Sequence, residues 1–142
     1  TFTIGARTYT FQANGSLTNV SGNIEIGTTL ANSKTNIVNA INRTGTPGTG
    51  YAAATPVHAQ VTIAAFGGNN AIVTARKGGT AGNALASTET FTAGTNVFNA
   101  ATLGTTTAGV DPTAAEMVTG LVLAAGATPT RWPPGPPRRS AS

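Results

Sequence analysis

His58 is the single histidine of this chain, so any base-assisted nucleophile must use it. Its available acidic partners are Glu25, Glu89, Asp111 and Glu116, which stand far apart. None of them forms the D-x-D-x-D-G spacing of a calcium loop, and no G-x-S-x-G elbow exists to expose a serine. With no cysteine, thiolate metal sites and disulfides are excluded. His58 therefore reads as a structural histidine, and no catalytic, cofactor or metal site is expected. The chain reads as a non-enzyme.

Three other groups invite a chemical reading. The run Arg76-Lys77-Gly78-Gly79-Thr80-Ala81-Gly82-Asn83 suggests a phosphate cradle but lacks the G-x-x-x-x-G-K-[ST] order. It reads as a wide turn in which glycine supplies positive φ and Asn83 caps backbone groups. Phe2, Tyr9 and Phe11 lie on alternating positions near Arg7, as a base-stacking platform would, yet a core-facing row is the commoner cause. The sequons at Asn14, Asn19 and Asn42 are what chance gives in an Asn/Thr-rich chain.

Charge supports this reading. Only 8% of the 142 residues are charged, against about 25% ordinarily. The pI of 10.4 hints at nucleic acid until the charges are located. Residues 1–130 carry Arg7, Lys34, Arg43, Arg76 and Lys77 against the four acids, so the body is nearly neutral. The excess comes from Arg131, Arg138 and Arg139, so nucleic acid is not the expected partner. The longest apolar stretch, Met117 to Ala127, is shorter than the ~20 residues of a bilayer span, and no membrane role is expected. Much of the hydrophobic fraction is alanine, which predicts a thin core and reliance on sheet hydrogen bonds or neighbouring subunits.

The elements that would position these residues follow from periodicity. Phe2, Ile4, Tyr9 and Phe11 alternate with threonine around Gly5-Ala6, predicting a hairpin. Asn14-Gly15 is a turn and Asn23 to Ile26 a third strand. With Thr28 as N-cap, Leu30, Lys34, Ile37, Val38 and Ile41 fall on one face of a helix over about 29–42, ended by Thr44 to Gly48. Val57, Ala59, Val61 and Ile63 alternate as a strand, Gly67 to Asn70 turns, and Ile72 to Arg76 returns. Weaker strands are expected near 85–91 and 97–103. The class is α+β, one helix packed on an antiparallel or mixed sheet of short strands.

Asp111-Pro112 predicts a second helix start, giving a short helix over 111–127 after a β-rich module over 1–110. Residues 128–142 form an extended Pro/Arg-rich arm. Within it Arg131, Trp132, Pro133, Pro134, Arg138 and Arg139 are the partner-binding residues expected from sequence. Arg and Trp are enriched at interface hot spots, and proline lowers the entropy lost on docking.

The ordered series Thr3 to Phe11, Ile24 to Ile41, Tyr51 to Ile63, Ile72 to Glu89 and Ala101 to Gly109 resembles a Gly/Thr/Ala-rich module of tailed-bacteriophage virion structural proteins. Its marks are T-[IV]-[GN]-G-x-x-Y-[TV]-F, an I-x-I-G step into an Ala/Asn-rich helix, and A-x-x-G-G-T-A-G-N. The closing Gly104 to Asp111 turn is longer than that pattern, and the arm is outside it. The resemblance implies a virion protein, foremost a capsid decoration or cement subunit on the shell surface. Its expected partners are the major capsid protein or other virion subunits, and it would be a homo-oligomer, commonly a trimer in such subunits. The alternatives are a tail tube, sheath or fibre module, and a carbohydrate-binding or adhesive β module using Tyr51, Phe66 or Trp132.

Overall fold

The computed structural model describes residues 1–91, 98, 100–103 and 107–111. The predicted helix over 111–127, beyond Asp111 itself, and the arm with Arg131, Trp132, Pro133, Pro134, Arg138 and Arg139 lie outside the described residues. The class is α+β, with short strands in mixed and antiparallel sheets around one α-helix.

Strands β1 (Phe2–Ile4) and β2 (Arg7–Gln12) form the expected hairpin, with Phe2 opposite Tyr9 and Ile4 opposite Arg7. Gly5 turns it at φ 55°, a conformation that side-chain-bearing residues rarely adopt. Strand β3 (Asn23–Glu25) joins β2 in parallel, which the sequence pattern does not reveal. Strand β6 (Ser87–Glu89) pairs antiparallel with β1, giving the order β3-β2-β1-β6. The aromatic row faces inward: Tyr9 is fully buried, Phe2 nearly so, and their rings stack at 4.9 Å. Phe11 packs at the margin of this cluster.

Helix α1 (Leu30–Asn42) is capped one residue later than expected. Thr29, in extended conformation, accepts the Asn32 amide at 3.1 Å, while Thr28 Oγ1 accepts the Asn32 side-chain amide. It ends at Asn42 as expected, and Arg43, not a glycine, takes the left-handed conformation at φ 54° as its C-cap. The Arg43 guanidinium donates to the Thr55 carbonyl, which anchors a conformation unusual for a non-glycine residue. Ile41 and Ala40 are buried and Ile37 and Val38 half-buried, but Leu30 is 66% exposed. The apolar face thus reaches the core only over the helix's second half.

Strands β4 (Val61–Ile63) and β5 (Val73–Ala75) make a separate antiparallel pair, Thr62 opposite Thr74. The expected strand from Val57 is shorter because the chain turns at His58, whose ring takes the Gln60 and Val61 amides. Val57 is left exposed. The weak strand expected over 97–103 appears as a bridge, Ala86 opposite Thr102, beside β6.

Candidate functional site

The glycine-rich run holds an anion, and the anion is the chain's own. Gly79, at φ 86°, precedes a 3₁₀ turn over Thr80–Gly82 and offers no side chain to cap it. The Asp111 carboxylate supplies that cap: Oδ1 accepts the Thr80 amide at 2.8 Å, and Oδ2 accepts the Thr80 hydroxyl. Asn83 grips the same segment, its Oδ1 accepting Gly109 N at 2.8 Å and its Nδ2 donating to Gly109 O at 3.0 Å. A side chain at Gly109 would run into the Gly79 carbonyl, so the close approach demands glycine. The two Thr80 bonds, aided by the Lys77 charge, hold the Asp111 carboxyl below its ordinary pKa. Asp111 therefore caps an element 31 residues away in the sequence.

His58 is 1% exposed and its ring is fully engaged. Nδ1 accepts the amides of Gln60 at 3.1 Å and Val61 at 3.2 Å, which leaves the proton on Nε2 to donate to the Ile4 carbonyl at 3.1 Å. Burial pushes the imidazole pKa down; the Ile4 bond opposes this and the Arg7 and Arg76 charges add to it. This ring joins the turn before β4 to the end of β1.

In the sequence Asn42 stands out only as a chance sequon after the apolar Ile41. In the fold its side chain imitates a neighbouring strand, accepting Ile63 N at 3.0 Å and donating to Ile63 O at 2.7 Å. Arg76 donates Nε to the His58 and Val61 carbonyls at 2.8 and 2.9 Å. His58, Asn42 and Arg76 together close the outer edge of β4.

Among the described residues, the other two acids are also turned onto main chain. Glu25 accepts the Gly15 amide and Glu89 the Phe91 amide. Among the described residues no group of three His, Asp or Glu side chains could hold a metal ion. No described helix is long and apolar enough to cross a membrane.

The aromatic candidates are likewise placed. Tyr51 is fully buried and its hydroxyl donates to Thr44 O at 3.0 Å, so it offers no sugar platform. Phe66 is half-buried beneath the Lys34 ammonium, 5.8 Å from the ring centroid. Leu30, Lys34, Val38 and Phe66 line an open groove of about 570 Å³. Lys34 is tied there to Gly68 O at 2.7 Å and Asn69 Oδ1 at 2.8 Å.

No family model matches this chain, and no curated protein or solved structure matches it either.

Proposed function

We propose that this chain is a non-enzymatic structural protein of a virion, foremost a capsid decoration or cement subunit. The observation that carries the non-enzymatic part is how the chemistry-bearing side chains are used. His58, Glu25, Glu89 and Asp111 all bond main-chain amides and so act as internal fasteners. General acid–base work needs such groups aimed at a substrate. The virion setting rests on the ordered motif series over residues 1–110.

In this reading many copies bind across joints between shell subunits, with the major capsid protein as partner. Individually weak contacts gain strength by repetition, and binding to the assembled lattice alone shifts the equilibrium toward it. The arm residues Arg131, Trp132, Pro133, Pro134, Arg138 and Arg139 extend the contact onto a neighbour. The copy number relative to the major shell protein in purified particles tests this. A simple ratio repeated over hundreds of copies supports decoration. A few dozen copies or fewer assigns a tail position, and absence from particles overturns the virion reading.

A further inference from the structure

The strand edges of this fold are treated unequally. The outer side of β3 is covered by the 50–52 segment, Glu25 N donating to Gly50 O and Ala52 N to Asn23 O. The outer side of β6 is covered by 100–103, through Ser87 N to Ala101 O and Leu103 N to Leu85 O. On β4, all four outward main-chain groups of Val61 and Ile63 are taken by His58, Arg76 and Asn42.

The β4–β5 register turns the opposite edge of β5 outward, away from β4. Arg76 N bonds Gln60 O and Ala64 N bonds Ile72 O, so Thr62 and Thr74 form the hydrogen-bonded pair between them. Val73 and Ala75 therefore point their amides and carbonyls away from β4. Those four groups have no hydrogen-bond partner among the described residues. Nor does β5 carry the usual protections of an open edge, since Val73, Thr74 and Ala75 include no charge and no proline. Ile72 beside it is 72% exposed.

We propose that β5 pairs antiparallel with β5 of a second copy of this chain, about a two-fold axis at Thr74. In that register Val73 faces Ala75 of the other copy and Ala75 faces its Val73. All four outward groups of each strand are then satisfied. The exposed Thr74 side chains meet across the axis, a favourable cross-strand pair. Charge fits as well: Arg76 falls opposite Ile72 and Lys77 opposite Ala71, so no cation faces a cation. A three-residue ladder buries on the order of a few hundred Å², short of the ~1,200 Å² of a stable interface. The pairing is therefore weak between free copies and effective where copies are arrayed. It does not depend on the virion reading.

The test is sedimentation equilibrium of the full chain, from micromolar to about millimolar, with Thr74→Lys and Thr74→Glu variants. Wild type should dimerise at the upper end. Each variant alone should weaken dimerisation at least tenfold, because like charges meet at the axis. Their equimolar mixture should restore it, and salt should weaken the mixture again. A wild type monomeric throughout, a dimer indifferent to Thr74→Lys, or a mixture that stays monomeric would each overturn the proposal.

Discussion

Acidification across the histidine range should loosen this fold through one ring. Protonating His58 at Nδ1 would set a new N–H against the amides of Gln60 and Val61, which now donate to that atom. Burial opposes the charge as well, so the native pKa lies below the ordinary 6.5. A depressed native pKa means that the unfolded chain takes up the proton first. The contribution of His58 is therefore fully present above about pH 6.5 and is lost as pH falls toward the native value. If the native ring stays unprotonated, the loss between about pH 7.5 and 5.5 is at most about 1.4 kcal/mol. A ring only 1% exposed leaves little solvent to screen this effect. Urea unfolding at half-unit pH steps should trace that decline, and His58→Gln, less stable overall, should be flat in the same window. Ring nitrogen NMR should show a bare Nδ1 and a protonated Nε2. A ring titrating at or above 6.5, or one protonated on Nδ1 at neutral pH, would refute the reasoning.

Further substitutions probe other parts of the fold. The buried Tyr9 hydroxyl has no partner among the described residues, and burial pushes its pKa up to about 12. Tyr9→Phe should leave stability unchanged or raise it by about 1 kcal/mol in urea unfolding, and a clear loss would reveal a hidden partner. Asn42→Ala strands the Ile63 amide and carbonyl and should cost about 2–4 kcal/mol, whereas an indifferent variant would deny the edge-closing role. Asp111→Asn should speed hydrogen exchange at the Thr80 amide, and in the wild type that amide should titrate with a midpoint below the ordinary 3.8 of aspartate. A chain truncated before Arg131 should still fold yet lose attachment to its shell partner; undiminished attachment would sink arm docking.

What could be read from the sequence was local. Leu30 to Asn42 repeats at helical period, and Gly5 between alternating runs can only turn, so both elements were legible. The inward aromatic row followed from the same alternation. The parallel seat of β3 and the insertion of β6 beside β1 were not legible, because they depend on which distant strands meet. The same holds for the fasteners. Asn42, Asn83 and Asp111 have side chains that bond main chain anywhere, and nothing local marks Ile63, Gly109 or Thr80 as their targets. Arg43 shows the converse, a left-handed conformation that nothing in its residue type announces.

The place of β1 has a consequence for how the chain acquires its shape. Its one neighbour, β2, follows immediately, while the other, β6, begins at Ser87. The hairpin can form early, but the far side of Phe2–Ile4 stays unsatisfied until Ser87–Glu89 arrives. Closure of that loop sets a high contact order and slow assembly. A nascent chain halted short of β6 would carry an exposed sticky margin on its first strand, so quality control on such intermediates matters more here than for a chain built from neighbouring hairpins.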